Sequence, residues 1–172
     1  MDRPATSTST VAASPIEARI VTFLTEVGVP LERRPLHEDT ALPGLTLDRG
    51  ALVVDPAGPT HVGDLLHEAG HLALLPPTAR ARASGRLDDR WGTAMEPGAI
   101  CWSVAAAWHL GLDLRVVLHD HGYRDAGARL ATTFEMGVYP GLPLLVDADL
   151  AWMPRAAPPG EPAFPAMRRW LR

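Results

Sequence analysis

The chain has 172 residues, enough for one domain with a real core and too few for two comfortable ones. Hydrophobic residues make up 47% and charged residues 21%, as in ordinary globular proteins, and the net charge of −4 offers no basic footprint for nucleic acid. No stretch of 18 apolar residues suggests a membrane span, and the lone Cys101 excludes an intrachain disulfide, so the expected setting is a reducing cytoplasm without a membrane partner.

Residues 1–13 are polar, lack the apolar run of a signal peptide and are expected to be a disordered segment ahead of a single domain over 14–172. Ser14-Pro15-Ile16-Glu17 predicts a helix start, with Ser14 as cap, Pro15 at the first position and Glu17 completing a capping box. Ile16, Ile20, Phe23, Leu24 and Val27 supply its apolar face, and Gly28 closes it. Residues 29–34 allow a strand. Residues 45–47 and 51–54, joined by Asp48-Arg49-Gly50, predict a hairpin, and 51–54 would accept an extended ligand if it formed a sheet edge. A helix is expected over 64–75, with Leu65, Leu72 and Leu75 facing the core and Pro76-Pro77 stopping it.

Residues 76–92 are polar and irregular, and a second apolar helix, buried nearly all round, is expected from about Pro97 to Leu110 with Gly111 as its cap. Residues 112–118 are ambiguous between strand and short helix. A helix is expected over 126–136, ended by Gly137, and a last short one over 164–171 within an otherwise irregular end. A small mixed sheet beside the first apolar helix, with helices after it, makes an α+β fold.

His67-Glu68-Ala69-Gly70-His71 is an H-E-x-x-H pattern inside the expected helix. Positions i and i+4 share one helix face, so both imidazoles can bind one Zn²⁺ while Glu68 serves as base toward water. A catalytic zinc needs a third protein ligand and one open position. Asp88, Asp89, Glu96, His109, His119 and His121 are the candidates. Glu96 is the expected ligand because it lies where the second apolar helix begins, although an acidic residue there also suits the helix dipole. His119 and His121 are the next choices, and His109 reads as an ordinary histidine near a helix end. Tyr123, His121, His119 and Tyr139 are candidates to stabilise an oxyanion, with Tyr123 and His121 preferred. Asp64, three residues before His67, is either a partner for an imidazole or a helix-start acid. Cys101 reads as a small buried apolar residue.

The two histidines and the downstream glutamate resemble a minimal zincin of the gluzincin kind. In size and layout the chain is similar to the ImmA/IrrE-like metallopeptidases, with His67-Glu68-Ala69-Gly70-His71 and Glu96-Pro97-Gly98-Ala99 carrying the likeness. It also resembles a group of small uncharacterised bacterial proteins through Leu65 to Ala73, Ala99 to Ser103 and Gly122-Tyr123. The resemblance implies a compact zincin-like metalloprotease fold, with His67, His71 and Glu96 on zinc. The helix-turn-helix domain that many ImmA/IrrE-like proteins carry is lacking here, and Pro97 directly after Glu96 departs from the usual pattern.

The expected function is a zinc-dependent metallohydrolase, most readily a metallopeptidase acting on a peptide or small amide substrate. The alternatives are a zinc hydrolase for a small biosynthetic molecule and a non-catalytic metal-binding regulatory domain. An intact Glu68 favours chemistry, because a purely structural site needs no base beside its metal. Nothing in the sequence specifies an oligomeric state.

Overall fold

A computed structural model describes residues 14–37, 40, 42–123 and 126–172. The segment 1–13, expected to be disordered, lies outside the described residues. Helix α1 (Pro15–Val27) starts on Ser14, whose hydroxyl oxygen accepts the Glu17 amide N–H at 3.1 Å, and buries Ile20, Phe23 and Leu24. Strands β1 (Leu31–Arg33), β2 (Leu45–Asp48) and β3 (Ala51–Val54) form one sheet in the order β1-β3-β2. β1 runs parallel to β3, and β2 runs antiparallel to it through the turn Arg49-Gly50. Both turn residues have positive φ, 47° and 81°, which matches the twist that a two-residue hairpin requires.

β3 is therefore the central strand, and its four residues are all buried. This overturns the idea that 51–54 offers an edge to an extended ligand; the sheet edges belong to β1 and β2.

Helix α2 (Val62–Leu74) follows β3 and packs most extensively against helix α4 (Glu96–His109). α2 begins two residues before the expected Asp64 because His61 caps it, its Nδ1 accepting the Gly63 N–H at 3.2 Å. Leu65, Leu66, Ala69, Leu72 and Ala73 bury the inner faces of α2. α4 opens on Glu96 with Pro97 directly behind it, where a missing N–H deprives the helix of nothing. Residues 101–107 of α4 are all buried, so this helix is enclosed on every side as its composition suggested. The two helices come close because Gly70 has no side chain; a Cβ there would lie 2.6 Å from the Ala99 carbonyl oxygen. Cys101 is 0% exposed and burial pushes its thiol up to about 12, so it behaves as a small apolar residue.

The remaining helices are α3 (Pro77–Arg80), α5 (Asp120–Tyr123), α6 (Gly127–Glu135) and α7 (Leu142–Asp147), with single 3₁₀ turns at Thr93–Met95 and Leu114–Val116. α3 and α7 fall in stretches read from the sequence as irregular. Residues 164–171 form no helix, contrary to expectation. Their backbone bonds go to other elements instead. The Phe164 N–H donates to Trp152 O, the Arg168 N–H donates to Leu150 O, and Trp170 O accepts the buried indole N–H of Trp102. The result is an α+β fold with a three-stranded mixed sheet. Among the described residues no helix is long and apolar enough to cross a membrane.

Candidate metal centre

α2 brings His67 and His71 onto one face, and the close approach of α4 brings Glu96 to them. The His67 and His71 Nε2 atoms are 3.2 Å apart. His71 Nε2 lies 3.1 Å from Glu96 Oε2, and His67 Nε2 lies 3.5 Å from Glu96 Oε1. Four-coordinate zinc with ligands at its usual 2.0–2.1 Å separates any two of them by about 3.3 Å. The histidine pair and the nearest Glu96 oxygen to each ring all lie close to that value, one carboxylate oxygen against each imidazole, so the donor set is compatible with a zinc-sized ion.

The electrostatics agree. Two ring nitrogens and a carboxylate aimed at one point repel unless something positive lies between them. Hydrogen bonds from His67 and His71 hold the Glu96 carboxyl far below the usual carboxylate range. Burial disfavours a charged His67, yet the hydrogen bond and charge of Glu96 outweigh it and raise the imidazole above its ordinary value. Glu96 thus favours positive charge on the His67 ring that faces it. Glu96 is the most open of the three, with 42% of its side chain exposed against 13% for His67 and 7% for His71.

Glu68 is partly buried beside the cluster, and burial pushes its carboxyl above the ordinary value. That shift suits a residue that must take up and release a proton. A cleft of 390 Å³ opens onto Glu68, His71 and Glu96, with Leu45, Leu47 and Leu87 as apolar wall and Arg86 and Asp89 as charged rim. A larger hollow of 690 Å³ shares Thr46, Leu47, Gly85 and Arg86 with it but touches none of the cluster. The smaller cleft is therefore the one that adjoins the cluster, and the two together run past β2.

Tyr123 reaches the cluster from behind. Its hydroxyl lies 3.2 Å from His67 Nδ1, the ring nitrogen that does not face Glu96. From there it orients the ring; the expected role of oxyanion donor needs a hydroxyl on the Nε2 side. Burial, and then the carboxylates of Glu96, Asp64 and Glu68, push this phenol above its usual range, so it remains a hydroxyl. His71 Nδ1 is buried without a hydrogen-bond partner. Tyr123 is therefore the one outer hydrogen bond to these two imidazoles among the described residues.

The other sequence candidates lie elsewhere. His121 is exposed, makes no hydrogen bond or ion pair with His67, Glu68, His71 or Glu96 among the described residues, and sits beside His119 with ring centroids 6.3 Å apart. His119 pairs with Asp64, so Asp64 serves that imidazole and not His67. His109 packs its ring against Phe23 and Trp170 at 5.6 Å and 5.3 Å. Tyr139 packs against Phe164 at 4.7 Å. Asp88 and Asp89 are exposed, and Asp89 only rims the cleft. Sequence reasoning missed the capping role of His61 and the pairing of Asp64 with His119, whose only trace was the position of Asp64 one turn before His67. Comparison with protein-family models, curated proteins and solved structures finds no match to this chain.

Proposed function

We propose that this chain is a zinc-dependent metallohydrolase with a zincin-like site, cleaving an amide bond, most simply as a metallopeptidase. The observation that carries this reading is the convergence of His67 Nε2, His71 Nε2 and the Glu96 carboxylate within 3.5 Å of one another beside the partly buried Glu68. Zinc held by that set supplies Lewis acidity, lowering the pKa of water and polarising a carbonyl. Glu68 takes a proton from the attacking water and returns it to the leaving nitrogen, and its raised pKa places it closer to the working pH for both transfers. Leu45, Leu47 and Leu87 give the substrate an apolar wall next to the reacting groups.

The two adjoining hollows beside β2 give a peptide substrate room, with the outward Leu45 N–H and Leu47 C=O already bonded to Leu42 and Gly85. The 390 Å³ cleft also suits a small amide, since it falls within the common range for small-molecule pockets of roughly 300–1,000 Å³. The test is zinc content by elemental mass spectrometry together with turnover of a peptide library and of small amides. Wild type is expected to hold about one zinc per chain, and Glu68→Gln to keep it while losing on the order of 10²–10⁴ in rate. A wild type that takes up no zinc, or a Glu68→Gln enzyme at full rate, overturns the reading.

A further inference from the structure

A second group of ligand-type side chains sits about one turn earlier on α2. His61, Asp64 and His119 have donor atoms within 4.8 Å of one another. Counted as residue types this is another two-histidine, one-carboxylate set. Its hydrogen bonds say otherwise. His61 Nδ1 accepts the Gly63 N–H at 3.2 Å, and His119 Nδ1 accepts the Gly122 N–H at 3.2 Å. A neutral imidazole carries one proton, so both rings carry it on Nε2. His119 Nε2–H donates to Asp64 Oδ1 at 2.8 Å, and the His61 ring stacks on His119 with centroids 3.6 Å apart. A metal on either Nε2 would send the ring proton to Nδ1, where a backbone N–H already points. The set is closed to a cation by its own tautomers.

What it does instead follows from the chain beyond His119. That residue leads directly into α5, and its carbonyl oxygen accepts the N–H groups of Gly122 and Tyr123 at 3.1 Å and 3.2 Å. Tyr123, at the end of the same turn, meets His67 Nδ1. The approach of this segment depends on Gly63, where a Cβ would lie 1.8 Å from the Val116 carbonyl oxygen.

We propose that the Asp64–His119 pair is a clamp that fixes α5 on α2, holds Tyr123 against His67, and so presets the ring of His67 for a cation at Nε2. His119 and Tyr123 are positioning residues in this scheme. It rests on reading His67, His71 and Glu96 as a metal centre. Outer partners of metal-bound histidines typically govern 10–100-fold in metal affinity. Among the described residues His71 has no such partner, so the effect falls on the Tyr123 path.

The experiment is zinc affinity by competition with a chromogenic chelator, for wild type, Tyr123→Phe, His119→Ala, the double variant and His119→Gln. Each single loss is expected to weaken zinc by about 10–100-fold. The double variant should be no weaker than the worse single, because both act through one path. His119→Gln keeps a donor for Asp64 and should recover most of the loss. An unchanged affinity in His119→Ala, losses that multiply in the double variant, or a second zinc bound per chain through His119 would each overturn the proposal. If His119→Ala does not fold, His119→Asn, which keeps an acceptor for the Gly122 N–H but falls short of Asp64, is judged by the same criteria. If wild type binds no zinc, the metal reading falls and the clamp is judged on metal-free protein. The ¹⁵N resonances of the His67 ring should then move in His119→Ala as they do in Tyr123→Phe; a ring that moves only in Tyr123→Phe overturns the clamp.

Discussion

Helix α2 carries two clusters with the same ingredients, and they are suited to opposite tasks. At His67, His71 and Glu96 the Nε2 atoms point together, neither ring accepts a backbone N–H among the described residues, and a cleft opens beside them. At His61, Asp64 and His119 each ring has its Nδ1 taken by a backbone N–H, and the carboxylate is already the acceptor of a ring proton. Ligand residue types and donor distances alone do not separate the two. The partner of the second ring nitrogen does, because it determines where the proton sits and therefore which nitrogen has a lone pair to offer. Each cluster also has its own glycine on α2. Gly70 lets α4 bring Glu96 in, and Gly63 lets the 116–119 segment bring His119 in.

The comparison can be broken most sharply at Glu96. Glu96→Ala removes one of three donors and is expected to weaken zinc by more than the roughly 10–100-fold that an outer partner governs. Full zinc content at micromolar metal in that variant would show that α4 supplies no ligand.

The glycines give the next largest effect. Gly70→Ala and Gly63→Ala each force a methyl against a carbonyl oxygen, at 2.6 Å and 1.8 Å, and are expected to cost about 1–3 kcal/mol in chemical denaturation. Gly70→Ala should also weaken zinc directly by displacing Glu96, whereas Gly63→Ala should act only through His119 and Tyr123. Equal stability to wild type in both variants would mean that the helices have room to spare.

The smallest effect is expected at His61. It caps α2 and stacks on His119 but is not one of the three proposed zinc ligands, so His61→Ala should keep one zinc per chain while losing about 0.5–2 kcal/mol of stability as a lost cap. Loss of zinc in His61→Ala would merge the two clusters into one site.

Legibility followed the range of the forces involved. α1 could be read from Ser14, Pro15 and Glu17 because its cap closes within three residues, and the hairpin from Asp48-Arg49-Gly50 because its turn is just as local. The H-E-x-x-H residues share a face of α2 by helical geometry alone. α7 escaped notice because it is six residues long with Pro143 in its first turn, and its stability comes from burying Leu142 and Leu145 against the core. Residues 164–171 looked helical by composition, yet the N–H groups of Phe164, Arg168 and Arg169 found Trp152 and Leu150 instead of carbonyls one turn back. The pairing of Asp64 with His119 spans 55 residues and left no periodic trace.

The sequence by itself determined that two imidazoles and a carboxylate stand together on one helix, since 3.6 residues per turn leaves no other arrangement. It also placed Glu96 at the mouth of a buried helix. Only the tertiary structure decided that Glu96 meets both histidines, that β2 and not β3 borders the cleft, that His121 stands away from the site, and that Tyr123 serves His67 from its far nitrogen. Those outcomes depend on how closely α4 and the 116–123 segment approach α2, which packing at Gly70 and Gly63 controls and which no local pattern encodes.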